Sequence, residues 1–170
     1  MRTRASWQRW LCACASAVLT ACAGYSGAGL KPGVAQLPDV LALMGPPALR
    51  WQDADGSVQL AYPRGPAGLV TYMVRLQADG RLQSIDMVLD EDHFAQVRAG
   101  LSKDAVLRLI GPPDARRTMY FAARDELAWE WRFRDVFGKP ARFIVLIDAS
   151  ADRVRSTLIL QEDYRRYDFR

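Results

Sequence analysis

Histidine and cysteine are scarce in this chain, with one His and three Cys in 170 residues. The cysteines are Cys12, Cys14 and Cys22, all near the N-terminus. The rest of the chain therefore has no disulfide framework and must hold together by core packing. His93 is the only imidazole, so a zinc site of several His or Cys ligands is excluded, and no metal or other cofactor is expected. His93 sits among Asp90, Glu91 and Asp92. Adjacent residues on a helix do not converge on one ion, and this cluster reads as a helix cap. Ser102 and Ser156 lack a histidine partner other than His93, and neither lies in a nucleophile elbow. No glycine-rich phosphate loop precedes a helix. The chain is read as noncatalytic.

Long apolar runs are also lacking. The longest lies within "MRTRASWQRWLCACASAVLTA", residues 1–21, where Arg2, Arg4 and Arg9 precede an apolar and small-residue stretch. It is shorter than the roughly 20 apolar residues of a spanning helix and reads as an export signal. Leu19-Thr20-Ala21-Cys22 resembles a bacterial lipobox. That resemblance implies cleavage before Cys22, acylation of Cys22, and a bilayer anchor worth about 0.8 kcal/mol per buried methylene. Ala23 after the cysteine, by the same resemblance, implies the periplasmic face of the outer membrane. Loss of Arg2, Arg4 and Arg9 leaves 20 Lys and Arg against 19 Asp and Glu, a formal +1. The basic balance of the whole chain thus disappears, and nucleic acid is not an expected partner. Residues 22–34, rich in glycine, read as a lipidated flexible tether.

Beyond the tether the sequence nearly repeats itself. "LALMGPP" at 41–47 returns as "LRLIGPP" at 107–113. Each ends a short helical pattern at Gly-Pro, the second with Ser102 as N-cap. Strands are expected at 57–62, 69–77 and 81–89, then at 126–133, 142–148 and 153–160. Alignment of the two stretches sets Leu60 and Tyr62 over Trp129 and Trp131, and Tyr72 and Val74 over Phe143 and Val145. An intervening helix is expected near 90–100, with Phe94 and Val97 inward. These features predict an internal duplication, with a first unit at 35–89 and a second at 90–160.

"AGLSKDAVLRLIGPP" at 99–113, "AWEW" at 128–131 and "DRVRS" at 152–156 resemble the BamE-like (SmpA/OmlA) family of small outer-membrane lipoproteins. The resemblance implies an α+β fold of two tandem BamE-like units, each with short helices packed on a three-stranded antiparallel sheet. It also implies an accessory or scaffold task through protein–protein binding, with an envelope protein or complex as partner. A tandem pair resembles in shape a secreted inhibitor of beta-lactamases, so the alternative is an inhibitor or binder of an exported enzyme. In "ELAWEWRFR", Leu127, Trp129, Trp131 and Phe133 alternate with Ala128, Glu130, Arg132 and Arg134. The aromatic row is expected in the core and the other row in the open, making Arg132 and Arg134 candidate partner contacts. The tail at 161–170 supplies Tyr164, Arg165, Arg166, Tyr167 and Phe169, residue types enriched at binding hot spots.

Overall fold

The computed structural model describes residues 26–64 and 68–162. Cys22 and the tail candidates Tyr164, Arg165, Arg166, Tyr167 and Phe169 lie outside the described residues. α1 (Leu37–Met44) starts where the Gln36 N–H donates to Asp39 Oδ2 at 2.9 Å, with Pro38 in its first turn. It is followed by β1 (Leu49–Gln52), β2 (Val58–Arg64), β3 (Val70–Leu76) and β4 (Leu82–Met87), an antiparallel sheet in that order. α2 (Glu91–Phe94) is capped by Asp90, and α3 (Lys103–Ile110) by Ser102, whose Oγ accepts from the Ala105 N–H at 3.2 Å. A second antiparallel sheet follows, β5 (Met119–Phe121), β6 (Glu126–Arg134), β7 (Pro140–Asp148) and β8 (Arg153–Gln161). No described helix is long and apolar enough to cross a membrane.

This architecture overturns the expected pair of three-stranded BamE-like units. Each sheet has four strands, because β1 and β5 add edges to stretches that read as polar connections. With four and three residues they are short for strands; β1 alternates over only two pairs of residues, β5 exposes all three, and each is placed by its pairing with β2 or β6. One helix precedes the first sheet and two precede the second, so the helical parts do not match either. Part of the expected tether is also structured. A Cβ on Gly27 would lie 2.6 Å from Ile85 Cδ1 and 3.2 Å from Met44 Sδ, and the Gly33 N–H donates to Leu82 O at 2.8 Å.

The two halves stack in series. One face of the first sheet presents Leu60, Tyr62, Val74 and Leu82 to Val40 and Met44 of α1. Its other face carries Ala61, Met73 and Val88, with Leu49 and Trp51 at their edge. The end of α3 seats on this second face. Gln59 Nε2 donates to Arg108 O at 2.6 Å, Trp51 Nε1 donates to Asp104 Oδ1 at 2.9 Å, and Arg108 pairs with Asp53 at 2.8 Å. The opposite sides of α2 and α3 bury Phe94, Val106 and Ile110 against Trp131, Phe133, Phe143, Val145 and Ile147 of the second sheet. Phe94 stacks on Phe143 at 4.1 Å and meets Phe133 edge-on at 4.7 Å. The order of layers is α1, first sheet, α2 with α3, second sheet. Coverage on both faces explains why Leu60, Ala61 and Tyr62 are consecutively buried.

Both helix stops use one device. Tyr62 Oη donates to Gly45 O at 3.1 Å, and Trp131 Nε1 donates to Gly111 O at 3.2 Å. Both glycines have positive φ, 77° and 76°. They differ in surroundings: a Cβ on Gly111 would lie 2.7 Å from Thr71 Cγ2, whereas one on Gly45 would meet nothing within 4 Å. Gly45→Ala is therefore expected to cost only backbone strain, about 1–3 kcal/mol. Gly111→Ala adds overpacking of about 1–3 kcal/mol. Urea unfolding measures the difference; equal midpoints for the two variants would show that the Thr71 contact does not constrain the fold.

Candidate interaction site on the second sheet

β6 and β7 are the longest paired strands of the chain together with β8, and their register runs from Glu126 opposite Asp148 to Arg134 opposite Pro140. The link between them, Asp135-Val136-Phe137-Gly138-Lys139, is held from within. Asp135 is 9% exposed, and its Oδ1 accepts from the Phe137 N–H at 2.9 Å and the Lys139 N–H at 2.8 Å. The Asp135 N–H donates to Lys139 O, the Gly138 N–H donates to Asp135 O, and Arg134 Nη1 donates to Gly138 O at 2.9 Å. An aspartate that satisfies its own turn in this way fixes the loop. The loop nonetheless turns Val136 and Phe137 outward, 75% and 81% exposed. A rigid turn that leaves two large apolar side chains in water gains nothing for the fold from them. It presents a preordered surface that another molecule can cover without an ordering cost.

The face of β6 opposite the core is not the open basic surface expected of it. Glu130 is 8% exposed; its carboxylate accepts from Arg117 at 3.0 Å and from Arg142 at 3.4 Å. Arg132 donates two hydrogen bonds to Glu162, at 2.8 and 2.6 Å, and its side chain is 18% exposed. Further along the same face, buried Glu126 pairs with Arg124 at 2.9 Å and with Arg155 at 3.7 Å, and Arg155 also binds Asp148 at 2.7 Å. The cause is burial: a carboxylate taken out of water needs cations beside it, and the arginines of this face are drawn into that task. Reversal of Arg132 would set a carboxylate against Glu162, so it perturbs the sheet itself. Arg134 is exposed, and its contact with Gly138 O makes it a support of the hairpin tip.

The aromatic row behaves as expected. Trp131 and Phe133 are buried in the core, and Leu127 and Trp129 pack against it. His93 Nδ1 lies 2.8 Å from Asp90 Oδ1 in the cap of α2. Among the described residues, no three His, Cys, Asp or Glu side chains are grouped as a metal site. Sequence reading passed over Val136 and Phe137. The available signal was "DVFGK" itself, in which an Asp and a Gly at turn spacing enclose two large apolar residues where a hairpin tip is ordinarily polar.

No family model matches this sequence. No curated protein matches it either. Among solved structures, a DUF4309-family protein, YjgB of Bacillus subtilis, is similar with 14% identity over 79% of this chain and 84% of that one. The TM-score of 0.31 is too low for the likeness to define either fold or activity.

The charge ladder has a consequence for acid stability. The Arg132 guanidinium holds the Glu162 carboxyl below its ordinary 4.5 against the opposing effect of burial, with Arg117 and Arg142 adding to the pull. A carboxyl depressed in the folded state stabilises fully above its unfolded pKa and loses that contribution as pH falls through the folded one. The loss therefore falls below about pH 4.5. Glu162→Gln is expected to flatten the dependence of urea midpoint on pH in that window. An unchanged slope would remove the Arg132–Glu162 pair from the account of the fold.

Proposed function

We propose that this protein is a noncatalytic lipoprotein, anchored through Cys22 and facing the periplasm from the outer membrane. It acts as an accessory or scaffold by binding an envelope protein through the β6–β7 hairpin tip. The observation that carries the reading is the exposure of Val136 and Phe137 on a loop locked by Asp135. Apolar side chains held rigid and unpartnered are the usual anchors of protein interfaces. The export signal and Leu19-Thr20-Ala21-Cys22 support the address. The conversion of buried Glu126 and Glu130 into arginine-paired structural groups supports a binding rather than a chemical role for this sheet. Residues 161–170, with Tyr164, Arg165, Arg166, Tyr167 and Phe169, form a second proposed contact.

The exposed apolar side chains on an ordered hairpin tip favour one alternative, insertion into the cleft of an exported enzyme as its inhibitor. In that case the partner is a single enzyme that loses activity in a one-to-one complex.

Val136→Ser with Phe137→Ser removes the apolar tip without touching the Asp135 turn. Stability is expected to stay within about 0.5 kcal/mol. Binding to the partner recovered with the wild-type chain from solubilised envelopes should weaken by about 2 kcal/mol or more, roughly 30-fold. Full recovery of that partner by the double variant would sink the tip as the contact. Metabolic labelling with radioactive palmitate is expected to mark the wild-type chain and to leave Cys22→Ser unlabelled. Absence of label on the wild-type chain, or equal label on Cys22→Ser, would remove lipidation of Cys22 from the proposal.

A further inference from the structure

Where the two halves meet, the exit from α3 borders a cleft that the tip does not involve. The chain leaves Gly111 through Pro112 and Pro113, which allow little backbone freedom, into a 3-10 turn at Ala115–Arg117. Asp114 caps that turn, accepting from the Arg116 N–H at 3.0 Å. The Asp114 N–H donates to Glu130 O at 3.0 Å, which ties the turn to β6. Between this segment and the first sheet lies a cavity of about 200 Å³, bounded by Pro63, Thr71, Pro112, Trp131 and Arg132. That is room for one small ring. It shares Asp114, Arg116 and Arg132 with an outer concavity of about 530 Å³, to which Arg117 contributes.

Among the described residues, the cations around the cleft outnumber the anions. Arg116, Arg117, Arg132 and Arg142 surround it or back it, against Asp114, Glu130 and Glu162. Asp114 is shared by two guanidiniums, Arg116 at 3.1 Å and Arg117 at 3.6 Å, and Glu130 is shared by Arg117 and Arg142. Arg142 keeps a buried Nε without an acceptor among the described residues. Arg116, its side chain 78% exposed, leans only on Asp114 among the described residues, an exposed pair of little strength. Its Nε and Nη2 donate to Asp114 at 3.1 and 3.3 Å, which leaves Nη1 facing solvent as a donor for a second oxyanion. The Asp114 carboxyl is held below its ordinary range, first by its hydrogen bond from Arg116, which marks the positive field of the rim.

We infer that this cleft binds a small ligand bearing a carboxylate or phosphate, with the oxyanion at Arg116 beside Arg117 and a planar or apolar body against the prolines and the rim of Trp131. Seams between structural halves, with an apolar floor and a few converging polar groups, are where small-molecule sites are commonly built. The site is separate from the hairpin tip and does not rest on the proposed function.

The test is a titration of the isotopically labelled full chain in detergent with phenyl phosphate and with benzoate, followed at the Trp131 indole N–H and the arginine Nε–H resonances. Sodium chloride at equal ionic strength and neutral benzyl alcohol are the controls. Saturable shifts with either oxyanion and none with the controls are expected. Arg116→Gln should weaken the binding roughly tenfold, the size of one charge-assisted hydrogen bond. Ala115→Tyr, which fills the exposed mouth without altering charge, should abolish it. Neither side chain is buried, so both variants are expected to keep the wild-type spectrum elsewhere. The tip variant of Val136 and Phe137 should bind like the wild type. Shifts that fail to saturate, that chloride reproduces, or that survive both Arg116→Gln and Ala115→Tyr overturn the inference. Loss in Ala115→Tyr with unchanged affinity in Arg116→Gln overturns the assignment of the oxyanion to the arginine rim.

Discussion

The layered structure depends on the close approach of Gly111 to Thr71. A helix that ends in a bare Cα can bring its last turn onto the back of the first sheet, where Ala61 and Thr71 offer little bulk of their own. Trp131 reaches the same glycine from the other side and binds its carbonyl. One residue is thus held by side chains from both sheets. Around it α3 makes two interfaces, a polar one through Arg108, Asp104 and Gln59, and an apolar one through Val106 and Ile110. The polar interface uses specific hydrogen bonds to set the position of the helix, while the apolar one supplies most of the burial.

The second sheet, at the end of the stack, has one face filled by α2 and α3 and another without a helical layer among the described residues. Glu126 and Glu130 are nevertheless buried on that second face, and the arginines around them keep the carboxylates solvated by charge in place of water. Apolar exposure is greatest at the hairpin tip, where an aspartate holds the turn so that no packing is asked of Val136 and Phe137, and it continues along the edge strands at Met119 and Tyr120 of β5 and Ile159 of β8. A neutralised charge ladder thus lies between apolar edges and ends in an apolar tip. The tip has the character of a contact surface because it is rigid before anything binds.

Much of the local structure was legible because it is governed by residues close in sequence. Ser102 and Asp90 cap helices through their own side chains, Gly-Pro pairs end α1 and α3, and alternation turns Trp131 and Phe133 inward. The hydroxyl of Tyr62 and the indole of Trp131 occupy positions that the internal alignment placed together, and both reach a helix-ending glycine. The short edges β1 and β5 were not legible, since β1 alternates over only four residues, β5 exposes all three of its own, and the pairing of each is decided by the neighbouring strand. The same limit concealed the use of Arg132. Its place in the alternating pattern gave the face on which it lies, but its partner Glu162 is thirty residues away and on another strand's end.

What the sequence by itself determined are the signals that act over a few residues: the helix starts and stops, and the face each long strand presents. Tertiary structure alone decided that the first sheet is covered on both faces, that α3 lies between the sheets, and that Arg117 and Arg142 answer the buried carboxylate of Glu130. Those outcomes depend on which surfaces meet once the strands have paired. Desolvation, which settles whether Glu130 needs a cation or Phe137 lacks a neighbour, is a property of that meeting and not of any stretch of chain.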